Sequence, residues 1–223
     1  MTTLIRHRFS VRRLPGPFRF PDVAPPAPGQ ILLLTGPSGS GKSTLLRQLT
    51  SCIPVAQRIH LNDLPLPNKP TVELLPHLPL EDRLRLLSRV GLAEVYSWLR
   101  TPRQLSDGQR YRLRLALALA KQTPSAASVL PGGPRATQTN PGTSPLATNN
   151  YQLATLLSDE FAAPLDILTA LVVSQAIRKL VKTNPTLSAI LVTGRHELIP
   201  ALAPDRLIHC DFGRIEEIQP QHS

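Results

Sequence analysis

The chain has 223 residues, 41% of them hydrophobic, with 25 Lys+Arg against 15 Asp+Glu, only two cysteines and 4% aromatics. That length can bury a full core in one domain with a smaller lobe attached. No apolar run approaches the ~20 residues that span a bilayer, and the basic N-terminus carries no apolar secretory segment. Cys52 and Cys210 lie far apart without metal-ligand spacing and read as buried thiols, so neither disulfide nor zinc is expected and the cytoplasm is the default compartment. The net charge of +10 favours an anionic partner, but the arginines are scattered and few aromatic rings are present to stack on bases, so nucleic acid is weakly supported.

Residues 4–14 alternate irregularly among arginines, like one or two edge strands, and 15–29 form a proline-rich connector. The rings of Phe18 and Phe20 there suit either the core or stacking on a nucleotide base. The apolar run Ile31–Thr35 then leads into Gly36-Pro37-Ser38-Gly39-Ser40-Gly41-Lys42-Ser43-Thr44, followed by a helical stretch to Leu49. Strand, glycine-rich turn and helix in that order form a complete phosphate-binding loop. Its glycines let the backbone wrap an anion with N–H groups pointing inward, and the helix adds its positive end. Lys42 can reach the β- and γ-phosphates, and the Ser43 hydroxyl can ligate Mg²⁺. ATP and Mg²⁺ are the expected ligands.

A short strand is expected to end at Ile59-His60-Leu61, before a proline-broken connector over 65–79. Leu84, Leu86, Leu87 and Val90 among charged neighbours predict an amphipathic helix from Leu80 that stops near Gly91. A second short helix over 92–99 completes, with the next element, a helical lobe covering about 78–122. That next element opens with Leu105-Ser106-Asp107-Gly108-Gln109 and continues as an Ala-, Leu- and Arg-rich helix to Lys121, buried from Leu115 onward. Backbone N–H groups and the Ser106 hydroxyl at its start make a second anion-binding turn. Residues 124–150, rich in Pro, Gly, Ser, Thr and Asn with Arg135 as the one charge, are read as a flexible insertion.

The apolar strand that follows ends in Asp159-Glu160, the carboxylates that phosphate-loop chemistry needs on the neighbouring strand. Asp159 would hold the Mg²⁺ shell, and Glu160 would polarise the attacking water. A helix over about 166–180 leads to a buried strand, 188–193, and then to His196, which is expected to bond a γ-phosphate oxygen. Another strand over 205–208 and a hairpin edge at 213–215 close the chain.

Taken in order, Gly36–Thr44, Leu105–Gln109, Asp159-Glu160, Leu165-Asp166 and His196 resemble the Walker A, signature, Walker B, D-loop and switch-histidine elements of the ABC-type ATPases. The resemblance implies an α/β fold: a P-loop NTPase head with a central, mostly parallel sheet, a small antiparallel edge and an inserted helical lobe. It also implies a head-to-tail homodimer in which Ser106, Gly108 and Gln109 of one subunit close on the ATP held by Gly36, Ser38, Gly39, Ser40, Gly41, Lys42, Ser43 and Thr44 of the other. Ser43 and Asp159 would then be metal ligands, Glu160 the general base, His196 the switch, and Asp166 the coupling residue across the interface.

The sequence departs from that pattern at Asp107 where glycine is usual, at Phe161-Ala162-Ala163-Pro164 after the Walker B carboxylates, at Arg195, and in having only Asn62 near the expected glutamine loop. Asp107 should need Arg103, Arg110 or another cation beside it, and Arg195 could add charge near the γ-phosphate. The wording of 102–120 and 159–166 also resembles soluble ABC-like ATPases that pair with acetyltransferase-like proteins. The primary expectation is therefore a soluble ATPase working on an unknown protein partner. The alternative is the nucleotide-binding subunit of a transporter, peripheral to the membrane beside a permease. A nucleotide-binding scaffold with negligible turnover is the third reading.

Overall fold

A computed structural model describes residues 22–121, 153–212 and 214–218. The expected strands over 4–14, the rings of Phe18 and Phe20, the 124–150 insertion and Gly213 lie outside the described residues.

Six strands form one sheet in the order β2-β3-β4-β1-β5-β6. They are β1 (Ile31–Thr35), β2 (Arg58–His60), β3 (Ala154–Ser158), β4 (Leu187–Val192), β5 (Arg206–Asp211) and β6 (Arg214–Ile218). All neighbours are parallel except β5 and β6, which pair antiparallel as the edge. β1 lies between β4 and β5, while the chain that leaves it must cross to β2 at the far edge. This reversal opens a crevice beyond the carboxyl ends of the central strands, the usual ligand position in such sheets.

β1 is buried along its whole length because helices cover both faces. Alternate residues feed opposite cores: Leu32 and Leu34 join Leu45 and Leu49 of α1 (Lys42–Ser51), whereas Ile31 and Leu33 face a larger cluster. That cluster also takes in residues from α2 (Leu80–Arg89), α4 (Asp107–Ala120) and α5 (Ile167–Thr183), so the helical lobe shares a continuous core with the sheet. Among the described residues, the short helices α3 (Val95–Leu99) and α6 (Ile199–Leu202) complete the set.

One end of β1 is bolted by Asp205. Its carboxylate accepts from the Ile31 N–H at 2.8 Å and pairs with Arg178 at 3.3 Å and Lys182 at 2.5 Å, both on α5. Burial raises its pKa, but the Lys182 hydrogen bond, the Ile31 N–H and the two cations outweigh burial and leave the carboxyl below its ordinary value.

Several arginines turn inward onto backbone carbonyls and do not form a basic patch. Arg58 donates to Ile53 O, Arg83 to Leu78 O and Pro76 O, Arg112 to Gly91 O, and Arg206 to Ala24 O. These guanidinium groups satisfy carbonyls in a chain broken by prolines, which accounts for part of the positive charge without an anionic partner. The cysteines need a correction: Cys210 is buried, but Cys52 is exposed because it lies just past the end of α1.

Candidate nucleotide site

Gly36 leaves β1 at φ 134, and a side chain there is impossible: a Cβ would stand 2.1 Å from the Cys210 carbonyl oxygen of β5. Gly39 and Gly41, at φ 78 and 100, turn the chain tightly into α1. No side chain caps the start of α1; Thr44 N–H turns back onto Gly41 O at 3.0 Å, and the positive end of the helix lies at the loop. The Lys42 ammonium folds back onto the loop, donating to Gly36 O at 2.8 Å and Pro37 O at 2.6 Å. Ser40 is fully buried, and its Oγ is unpartnered among the described residues. A helix start, a positioned ammonium and flexible glycines are what a polyphosphate needs.

The loop forms one wall of a cavity of about 280 Å³. Ser38, Gly39, Gly41, Lys42, Ser43 and Thr44 come from the loop, Asp159 and Glu160 from the end of β3, and Val192, Thr193 and Gly194 from the end of β4. Three adjacent strands thus deliver lysine, hydroxyl and two carboxylates to one space. The Ser43 hydroxyl and the half-buried Asp159 carboxylate are hard oxygen donors that suit Mg²⁺. Asp159 Oδ1 also accepts from the Glu160 N–H at 3.1 Å, and Asn62 Nδ2 donates to Asp159 O at 2.9 Å. Asn62 therefore touches the main chain of the carboxylate pair from the lobe side.

Glu160 also borders a second cavity, of about 250 Å³, with Asn62, Arg110, Tyr111 and Pro164 on its other walls. Its backbone is left-handed at φ 51, and so is that of Ala162 at φ 59. For residues other than glycine this conformation costs about 1–3 kcal/mol each and persists only where the surroundings impose it.

The remaining candidates lie away from the phosphate cavity. Ser106 caps α4: its Oγ accepts from Gln109 N at 3.2 Å, and Gln109 Oε1 accepts from Ser106 N at 3.1 Å. The Ser106 hydroxyl keeps its own proton as a donor. Asp107 is paired with Arg110, the cation that its position calls for. Gly108 packs so closely on the 160–165 turn that a Cβ would meet Pro164 O at 3.2 Å. Asp166 caps α5 through Thr169 N at 2.9 Å, and hydrogen bonding to Thr169 holds its pKa below the ordinary value.

His196 is exposed, lies off the cavity wall and has its ring 6.4 Å from that of His209. Thr193 and Gly194 stand at the cavity in its place. Arg195 also differs from expectation: its guanidinium turns toward Ala162 O and Leu165 O. Tyr111 escaped the sequence reading altogether. It is buried in α4, and its Oη accepts from the Ala162 N–H at 3.0 Å. Its one visible signal is a bulky phenol among alanines, leucines and arginines.

The family model described as ABC transporter matches residues 26–79, from just before β1, through the phosphate loop and β2, to the residue before α2. A putative 2-aminoethylphosphonate import ATP-binding protein, PhnT, of Salmonella typhimurium is 32% identical over 124 residues, covering 42% of this chain and 33% of PhnT. Over this region the chain is similar to the ABC-type ATPases. The zinc import ATP-binding protein ZnuC of Yersinia pestis is 38% identical over 110 residues, 41% of this chain and 42% of ZnuC. The chain thus spans only 33% and 42% of the length of these curated relatives.

Among solved structures, the dimeric post-hydrolysis state of the ATP-binding cassette MJ0796 bound to ADP and Pi superposes with a TM-score of 0.59 at 20% identity, over 88% of each chain. Clostridium perfringens cbiO1, part of the ABC transporter complex cbiONQ, gives 0.54 at 16% identity over 86% of this chain and 78% of its own. Both show that the ABC fold is shared. The mostly parallel sheet with an antiparallel edge is the architecture the family resemblance implies. Among the described residues no helix is long and apolar enough to cross a membrane.

Proposed function

We propose that this chain hydrolyses ATP as the ATP-binding subunit of a membrane transporter, in a head-to-tail homodimer. The observation that carries the reading is the single cavity into which the phosphate loop, Asp159 and Glu160 all open. The loop N–H groups, the start of α1 and Lys42 hold the β- and γ-phosphates, with Ser43 and Asp159 as the Mg²⁺ ligands. Bound Mg²⁺ supplies charge neutralisation across the phosphate oxygens. Glu160 accepts a proton from water as the water oxygen bonds to the γ-phosphorus and the bond to the β,γ-bridging oxygen breaks, giving ADP and inorganic phosphate. Among the described residues the turn at Ser106–Gln109 does not line the phosphate cavity, and its donors serve the partner subunit's nucleotide.

The import proteins among the relatives support a permease as the partner, in preference to the soluble ATPase with an acetyltransferase-like or other protein partner. Detergent extraction after crosslinking in cells tests this reading. It predicts capture of an integral membrane protein whose presence raises ATP turnover. Capture of soluble partners alone would return the assignment to the soluble branch.

A further inference from the structure

The turn that joins Glu160 to Asp166 is gripped from two sides by side chains distant in sequence. Arg195 Nη1 donates to Ala162 O at 3.0 Å and to Leu165 O at 2.8 Å, while its Nε faces Glu197 at 3.4 Å. From α4, Tyr111 Oη receives the Ala162 N–H, and the Tyr111 ring meets the fully buried Phe161 edge-on, with centroids 6.4 Å apart. Phe161 N also donates to Val192 O at 2.6 Å, tying the turn to the end of β4. Both polar groups of the Ala162 peptide backbone are therefore held, one by each side chain, at a residue whose φ of 59 a free chain would leave.

We propose that Arg195 and Tyr111 are positioning residues, which together clamp the 161–165 turn so that Glu160 keeps its left-handed backbone and stays at the wall of the phosphate cavity. The proposal rests on the reading of Glu160 as the general base. Arg195 does not touch the phosphates; it acts through two carbonyls. The pair also links three parts of the molecule: the strand end beside the phosphates, the turn that carries the base, and the helix opened by Ser106. A guanidinium suits this task because one nitrogen has two N–H donors in fixed directions, and it stays charged at any working pH.

The experiment uses the full chain with Arg195→Met, which keeps the apolar stem and removes the donors, and Tyr111→Phe, which removes the hydroxyl that meets Ala162 N–H and the Ser158 side chain and keeps the ring. Amide hydrogen exchange of 160–166 should accelerate at least tenfold in each variant, with exchange of β1 and β4 unchanged. Turnover of Mg·ATP should fall about ten- to a hundredfold in kcat, with KM within threefold of wild type. Guanidinium ion in the buffer should restore part of the loss in Arg195→Met and none in Tyr111→Phe. Unchanged exchange at 160–166 would overturn the clamp whatever the kinetics. Faster exchange with unchanged kcat, or a loss seen wholly in KM, would overturn the positioning role. Wild-type turnover abolished by Glu160→Gln is the separate control: its absence would count against the proposed hydrolysis, while the exchange data would still decide the clamp.

Discussion

Removing the carboxylate of Asp205 should loosen the fold without touching the nucleotide site, because Asp205 grips the end of β1 opposite the phosphate loop. Its side chain is 18% exposed, and its partners Arg178 and Lys182 are 25% and 39% exposed. The cluster lies between an exposed pair, worth about 0–1 kcal/mol, and a buried one, whose disruption costs about 3–5 kcal/mol. Asp205→Asn keeps an oxygen for the Ile31 N–H but loses the charge, so about 1–2 kcal/mol should go. Asp205→Ala also strands the N–H of fully buried Ile31, adding about 1–3 kcal/mol. Urea unfolding at pH 7 should rank wild type, Asn and Ala in that order, with Tm falling about 2–4 °C per kcal/mol for a chain of this size. The folded-state pKa of Asp205 lies below the ordinary 3.8, so the carboxylate's contribution is fully present above that value. It is lost as pH falls through the lower, folded pKa. The gap between wild type and Asp205→Asn should therefore shrink below about pH 4. Equal stability at pH 7, or a gap that acid leaves unchanged, would refute the reasoning.

Gly36→Ala places a methyl 2.1 Å from Cys210 O, so that β5 must retreat by about 1 Å to restore ordinary contact. Loss of nucleotide binding together with a lower Tm is expected in calorimetry. Ser106→Ala breaks the cap of α4 and should cost about 1 kcal/mol in unfolding. If Ser106 also serves the partner's nucleotide, its turnover should drop far more than that stability change explains. His196→Ala should leave Mg·ATP affinity within twofold of wild type in titration calorimetry, since the ring lies away from the cavity. A large affinity loss would show that the 193–196 turn rearranges around the nucleotide.

What was legible in the sequence is what is contiguous. The phosphate loop announces strand, turn and helix in one run, and Leu80–Arg89 and Asp107–Ala120 show helical periodicity within their own length. The Asp159-Glu160 pair gained meaning only beside that loop, and the structure brings both to one wall. The remainder depends on contacts between distant residues. Arg195 reads as a cation beside phosphate until its guanidinium is seen to reach back to Ala162 and Leu165. The place of His196 depends on how the chain leaves β4, where a turn over 193–195 and a short helical segment with Pro200 carry it toward His209. Arginines that satisfy local carbonyls look from the sequence like surface charge.

In the proposed function, two copies of this chain build the hydrolytic site around ATP, with Glu160 as the base. Sedimentation of Glu160→Gln with and without Mg·ATP, beside wild-type turnover measured across protein concentrations, tests it most directly. An ATP-dependent dimer of the variant and a wild-type specific activity that climbs with concentration are expected. A variant that stays monomeric with ATP bound, and a specific activity independent of concentration, would contradict it.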